Sequence, residues 1–424
     1  MQTTFEQRNG VLHIEDVPLT RIAEVVGTPA YVYSASHFRA QYARLSEALG
    51  GLPHDICFAV KANSNLSVLA LFKELGAGFD IVSGGELQRV LAVGGDPARV
   101  VFSGVGKTVE EIDLALKVNI GCFNVESAQE LARIAERAEL MGCQAPISIR
   151  VNPDVDAQTH PYISTGLKEN KFGVPVSSAL GLYREADGHP NLTVVGIDCH
   201  IGSQIMEVQP LQDAIASLLN LSRQLSDTGI QLRHIDVGGG MGVTYRDEQG
   251  LDIESYGQCL AQLLGGTGLK LLLEPGRFLV ANGGALLTRL EYTKLGQEPG
   301  QKNFAVVDAA MNDLLRPALY QAWHQVTPVA AVPNAVEETW DVVGPVCESG
   351  DFLAQDRKLA LAPGALLAVM SAGAYGMTLS SNYNSRPRPP EVLVDGKVFR
   401  EVRRRESSSD QLALECYPAT VARS

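Results

Sequence analysis

A lysine closes an apolar run in the segment Phe58-Ala59-Val60-Lys61-Ala62-Asn63-Ser64-Asn65. With Ile56 ahead of it, the run reads as a buried strand that delivers an amine to its own end, followed by Asn and Ser chemistry suited to a helix start. Apolar walls disfavour an ammonium, so the amine is expected to fall from its ordinary pKa of about 10.4 toward a range where it attacks a carbonyl. A lysine that snorkels out of a strand end is the commoner case when nothing else accompanies it. Here other polar residues end other apolar runs. Asp80 and Ser83 end one, Arg150 and Asn152 another, and His200 is followed by Gly202-Ser203-Gln204. Gly238-Gly239-Gly240 and Glu274-Pro275-Gly276-Arg277 close two more. Glycine turns after strands offer backbone N–H groups to phosphate, although a triple glycine on its own is only a turn. A strand-end amine together with anion-binding turns suits pyridoxal 5'-phosphate, which brings an aldehyde to the first and an anion to the second. Glu274 then has a place at the pyridine nitrogen, keeping it protonated, and His200 one against the ring.

These residues need a scaffold that collects strand ends. Apolar runs at 56–60, 79–83, 100–103, 122–126, 146–151, 193–199, 234–237 and 270–273 alternate with helical periodicity, as in Leu66/Leu69/Phe72/Leu75, Ser127 to Met141, and Leu211 to Leu225. Eight βα repeats suit a closed (β/α)8 barrel, whose active sites lie on the C-terminal rim. An open doubly wound sheet shares the local pattern and differs only in the count. The interval from Asn152 to Gly173 is long and polar, and is read either as a lid or as a surface insertion. After Gly276 the helical rhythm stops. The runs Ala285–Leu290, Phe304–Asp308, Trp340–Val343, Leu359–Leu361, Leu366–Met370, Val392–Val394 and Lys397–Val402 read as strands. The expected organisation is α/β: a cofactor-binding barrel over 36–279, and an all-β domain built from 1–35 and 280–424 that makes substrate and dimer contacts.

Composition narrows the function. A length of 424 residues suits two domains, and 45% hydrophobic with 20% charged residues is a soluble balance. The net charge of −13 argues against nucleic acid or an anionic membrane as partner. The basic run Arg403-Arg404-Arg405 is flanked by Glu401 and Glu406 and reads as a solvated strand or turn. There is no signal-like N-terminus and no apolar run long enough to span a bilayer. Seven scattered cysteines without CxxC spacing suit reduced thiols in the cytoplasm and no zinc site. No metal is expected.

Four segments, Phe58-Ala-Val-Lys61-Ala-Asn, His200-Ile-Gly-Ser-Gln204, Asp236-Val-Gly-Gly-Gly240 and Glu274-Pro-Gly-Arg277, resemble the alanine-racemase-like pyridoxal-phosphate enzymes. Within that class they are similar to the group of diaminopimelate, ornithine and arginine decarboxylases. Asp308 to Tyr320, Gly344 to Asp351 and Gly373-Ala-Tyr375-Gly376 resemble the diaminopimelate decarboxylases in particular, Glu348 being the discriminating residue. The resemblance covers nearly the whole chain; Asn170 stands where a small hydroxyl residue is expected. It implies that Lys61 carries the cofactor, with Asp80, His200, Ser203, Gly239, Gly240, Glu274, Gly276, Arg277 and Tyr375 around it. It further implies that Cys347 is the proton donor and that Arg277, Arg316 and Tyr320 grip the distal carboxylate of meso-diaminopimelate. Glu348 takes the distal ammonium, and Tyr375 touches substrate as well. The products implied are L-lysine and CO2, and the assembly is a homodimer with active sites shared between subunits. Rival readings are a decarboxylase of ornithine, arginine or carboxynorspermidine, a racemase, and a non-catalytic relative that acts by binding. Arg316 and Tyr320 argue against the first two substrates, Cys347 and Glu348 against the racemase, and the presence of Lys61, His200, Glu274 and Cys347 against the last.

Overall fold

Eight parallel strands close on themselves in the computed structural model, which describes residues 4–155, 171–332 and 335–416. They are β1 (His54–Ala59), β2 (Gly78–Ile81), β3 (Val100–Phe102), β4 (Cys122–Val125), β5 (Ala145–Asn152), β6 (Leu192–Asp198), β7 (His234–Asp236) and β8 (Lys270–Leu273). Neighbours pair in sequence order. The ring shuts where β8 pairs with β1, Leu271 opposite His54. All eight apolar runs are therefore strands, and closure excludes the open sheet.

The turns that follow the strands are set by capping side chains. Asn65 accepts from Ser67 N to start α1 (Leu66–Glu74), and Ser83 accepts from Glu86 N to start α2 (Gly84–Ala92). Thr108 and Glu111 form a reciprocal capping box, and Ser127 caps Ala128–Met141. Each such cap is worth about 1 kcal/mol and fixes where the chain leaves the rim. Outward residues pack the helices on: Phe58 of β1 stacks on Phe72 of α1 at 4.2 Å between ring centroids. Leu66, assigned to the apolar face of α1 by periodicity, is instead exposed, because the buried stripe runs through Val68, Leu69, Leu71 and Phe72. Inside the barrel, Cys57, Val101 and Leu272 form a small apolar cluster. Two residues further along the chain the inward positions turn polar, as alternation along a strand dictates: Ser103 follows Val101, and Glu274 follows Leu272.

The chain divides into two compact units, Arg39–Leu279 and Met1–Phe38 with Val280–Ser424. The second is sheet-rich. Its central strand, Gly284–Lys294, pairs antiparallel with Asn303–Val307, with Leu366–Met370 and with Ala30–Ser34. Ala30–Ser34 in turn runs parallel to Glu391–Asp395, so the N-terminal segment lies inside this sheet. The domain is not purely β. Leu19–Val26 is a helix that buries Leu19, Ile22 and Ala23, and Arg316–Tyr320 is a single helical turn begun by a proline at its second residue. Leu19, Ile22 and Ala23 join the same apolar core as Val32, Leu287, Ala368 and Val392.

Candidate active site

Lys61 lies in one 3-10 turn, Val60–Ala62, just past the end of β1. Its side chain is 35% exposed, and its Nζ pairs with Asp80 Oδ2 from β2. The expected apolar walls are thus replaced by a carboxylate: the alternation that buries Phe79 and Ile81 outward turns Asp80 inward beside the amine. Asp80 is completely buried, and its Oδ1 has no hydrogen-bond partner among the described residues. Lys107 shows what a purely structural lysine looks like here. Its Nζ is buried and satisfied by Gly104 O, Asn124 O and Glu130 Oε1 at 2.6–2.8 Å.

Glu274, just past β8, is buried across the barrel from β3 and β4. Its Oε1 accepts from Ser103 Oγ at 3.2 Å and Asn124 Nδ2 at 3.3 Å. Burial, reinforced by the Asp80 charge, pushes its carboxyl up to about 7, with Lys61 and Arg150 opposing. Half-buried Glu86, at the start of α2, is also pushed up to about 7, by burial and then Asp80, against a hydrogen bond from Val82 N. Arg150, at the end of β5, is buried and donates to Glu126 Oε1 at 3.1 Å and His200 O at 3.3 Å. Its guanidinium also lies 4.9 Å from the Phe172 ring centroid.

His200 follows β6. Its Nδ1 accepts from Gly239 N at 3.2 Å, which leaves the ring proton on Nε2. Burial, then the Arg150 and Lys61 charges, holds it well below the usual histidine range, so the ring is neutral. The glycine turn beside it admits no side chain. A Cβ on Gly239 would sit 2.2 Å from Glu274 O, and one on Gly240, whose φ is +87°, 2.4 Å from Gly202 O. Arg277 crosses the same corner, donating to Ser203 Oγ at 2.9 Å and Tyr245 Oη at 2.8 Å. Gly276 immediately precedes it.

The residues picked from the C-terminal half lie in the sheet-rich unit. Arg316 is buried, and its Nε donates to His324 Nε2 at 3.3 Å while His324 Nδ1 donates to Met370 O at 2.8 Å. Tyr320 ends the same helical turn. Cys347 and Glu348 are exposed on a tight loop whose shape is held by Asp351, which accepts from Val346 N and Met311 N, both at 2.7 Å. Glu348 Oε1 accepts from Tyr383 Oη at 2.5 Å. Tyr375 is held at φ +55°, a left-handed backbone that a bulky residue adopts only under constraint.

The barrel rim fits pyridoxal phosphate. It offers an amine at Lys61, a side-chain-free cradle at Gly239 and Gly240, a guanidinium and a hydroxyl at Arg277 and Ser203, and a buried carboxylate at Glu274. Residues 35–281 match the family described as pyridoxal-dependent decarboxylase, pyridoxal binding domain. The chain belongs to this family. Pyridoxal phosphate is its cofactor. The chain is 57% identical over 412 residues to a diaminopimelate decarboxylase of Pseudomonas aeruginosa, covering 97% of this chain and 98% of the relative. It is 53% identical over 404 residues to that of Neisseria meningitidis, covering 95% and 98%. Among solved structures, the diaminopimelate decarboxylase of Helicobacter pylori complexed with L-lysine superposes with TM-score 0.90 at 43% identity, covering 93% of this chain and 98% of that one.

Sequence reasoning passed over several residues that this geometry brings in. Asp198 and Asp236 lie against Glu274; Asp198 was visible as a carboxylate inside an apolar run, and Asp236 stood in a resembling segment without being given a role. Ser103 and Asn124 were visible as Asp198 was. Tyr383 and His324 carried no local signal, since they meet Glu348 and Arg316 only in the fold. Most of the Asn152–Gly173 interval read as a lid lies outside the described residues. No helix of the described residues is long and apolar enough to cross a membrane.

Proposed function

We infer that this protein is a carboxy-lyase that removes the carboxylate from the D-configured centre of meso-diaminopimelate, giving L-lysine and CO2. The observation that carries this reading is similarity along essentially the full chain to several diaminopimelate decarboxylases. Arg316 supports it independently: a buried guanidinium, held in orientation by His324, is a receptor for a carboxylate that ornithine and arginine lack at their far end.

When bound, pyridoxal phosphate supplies a protonated pyridine ring that withdraws the electron pair left behind by departing CO2. This chain's residues do the rest. Lys61 Nζ is the covalent attachment point for the cofactor aldehyde, and the Asp80 charge holds that amine in place. Gly239 and Gly240 N–H groups, with Ser203 and Gly276, receive the phosphate. The Glu274 carboxylate holds the proton on the pyridine nitrogen, and neutral His200 packs on the ring without adding positive charge. Arg277, Arg316 and Tyr320 orient the distal carboxylate, Glu348 takes the distal ammonium, and Tyr375 borders cofactor and substrate. Cys347 Sγ delivers the proton to the carbon that lost CO2. The working unit is a homodimer in the cytoplasm, in which Cys347 of the partner subunit and Glu348 of the partner subunit complete each site. Free thiols at all seven cysteines are consistent with that compartment.

Incubation of the purified protein with meso-diaminopimelate, ornithine and arginine in parallel, assaying CO2 and amine product, tests the assignment. Turnover of diaminopimelate far above the other two is expected. Preference for ornithine or arginine overturns it.

A further inference from the structure

Asp198 ends β6 and Asp236 ends β7, directly opposite one another in the parallel register. Neither is used by the roles above. Both are buried, at 1% and 0% exposure, and each places a carboxylate oxygen in a trio with Glu274 whose three oxygens all lie within 4.8 Å of one another. Glu274 has donors in Ser103 and Asn124, and Asp236 Oδ1 accepts from Gly238 N at 2.9 Å. Among the described residues Asp198 Oδ1 and Asp236 Oδ2 meet no donor, and Asp236 lies within hydrogen-bonding reach of the Glu274 carboxyl. An anionic oxygen without a donor is strongly disfavoured in a dry interior, and three adjacent anions are more so. A carboxylic acid beside a carboxylate resolves both problems, since its proton becomes the missing hydrogen bond.

We propose that Asp236 is held as the neutral acid with its Oδ2 proton donated to the Glu274 carboxylate, and that Asp198 stands neutral behind it, so that the trio carries its one negative charge on Glu274. Asp236 is then a positioning residue. One oxygen pins the glycine turn through Gly238 N, and the other fixes the charge and direction of Glu274, so the phosphate end and the nitrogen end of the cofactor cradle hang on one side chain. The inference rests on the proposed nitrogen-facing role of Glu274. The surrounding charges agree with it. Asp80 from β2 adds a further carboxylate, while Lys61 past β1 and Arg150 from β5 are the cations that favour a single anion. Burial, and then the Glu274 charge, pushes both aspartates well above the usual carboxylate range, whereas Glu274 rises only to about 7.

Asparagine mimics the neutral acid, because its oxygen still accepts from Gly238 N and its amide still donates to Glu274. Alanine loses both bonds. Pyridoxal phosphate affinity, measured by titrating the cofactor into resolved enzyme, should stay within about threefold of wild type in Asp236→Asn and weaken about tenfold or more in Asp236→Ala. The pH titration of the bound cofactor's absorbance should likewise follow wild type in Asp236→Asn. Infrared spectra of wild type labelled with carbon-13 aspartate should show a buried protonated carboxyl band at neutral pH that diminishes in Asp236→Asn. Absence of that band, or an asparagine variant as damaged as the alanine variant, overturns the proposal. Should Asp236→Ala fail to fold, the wild-type band and the asparagine variant still decide. An unchanged cofactor spectrum in Glu274→Gln would remove the role of Glu274 without touching the band, so the two failures are distinguishable.

Discussion

The two sets of functional side chains differ in how far one chain finishes them. On the barrel rim, Lys61 faces Asp80, Glu274 is held by Ser103 and Asn124, His200 is tied to Gly239, and Arg277 to Ser203 and Tyr245. Burial presets the protonation of Glu274 and His200 before any ligand arrives, which is the preorganisation that stabilises charge developing in a reaction. In the sheet-rich unit, Arg316 is similarly buried and braced, but Cys347 and Glu348 stand exposed on the Gly344–Asp351 loop. A proton donor and a charge receptor in open water are weak tools, since solvent screens the charge and competes for the proton. The difference teaches that the rim residues are braced within one chain, whereas Cys347 and Glu348 are not, and on the proposed reading a second copy of the chain covers them.

The largest effects should come from one residue of each half. Lys61→Ala should abolish borohydride-trappable cofactor and nearly all turnover, and should lower the unfolding midpoint because it leaves the buried Asp80 carboxylate without its cation; a fully loaded, trappable variant would place the attachment elsewhere. Cys347→Ala should be nearly as inactive, and mixing it with Lys61→Ala separates the halves. If Cys347 acts across the dimer, random exchange gives half mixed dimers with one intact site of two, hence recovery of up to about a quarter of wild-type activity. No recovery, with subunit exchange proven by mass spectrometry, would put both residues in one chain.

Glu274→Gln should keep cofactor bound but lower kcat about 100- to 1,000-fold, the usual consequence of removing a charge-assisted bond at a charge-developing centre. Wild-type kcat at saturating substrate would sink that role. The same buried trio predicts a stability signature. Folded Asp198, Asp236 and Glu274 titrate above their unfolded values, so from roughly pH 4 upward the unfolded chain holds fewer protons than the folded one, for Glu274 until about pH 7. Their contribution to stability is therefore lost as pH rises through that window. Asp198→Asn removes one such group and should flatten the slope by up to about 1.4 kcal/mol per pH unit, read from denaturant midpoints of apoprotein between pH 5 and 8. An unaltered slope would mean that Asp198 is charged throughout.

Legibility in the sequence followed the range of the interactions. All eight barrel strands were readable because each is a local apolar run, and the rim residues because a barrel puts every strand end on one face. Asp198 was readable in principle, as a charged residue inside a run that should be wholly apolar, but a run recognised as a strand hid the exception within it; Asp236 stood in a resembling segment without being given a role. Leu19–Val26 escaped because eight residues give barely two helical turns of periodicity. The partners of Asp80, Arg316 and Glu348 could not be read at all. Which carboxylate meets Lys61 depends on the register of β1 against β2, and Tyr383 reaches Glu348 across 35 residues of chain.

Tyr383 gives the smallest and most discriminating test of the exposed half. Its hydroxyl donates to Glu348 at 2.5 Å, with both side chains exposed. In open water such a bond contributes little to stability, so Tyr383→Phe should leave the unfolding midpoint unchanged within error. Its worth lies in aim: it holds a long, rotatable carboxylate in one direction before substrate arrives. Losing that order costs on the order of 1 kcal/mol when the carboxylate must find the ammonium unaided, about a fivefold rise in KM for diaminopimelate with kcat little changed. Glu348→Gln removes the charge as well and should raise KM further. If Tyr383→Phe instead lowered kcat and left KM alone, Glu348 would be acting on the reacting end of the substrate, and the division of labour between rim and loop would have to be redrawn.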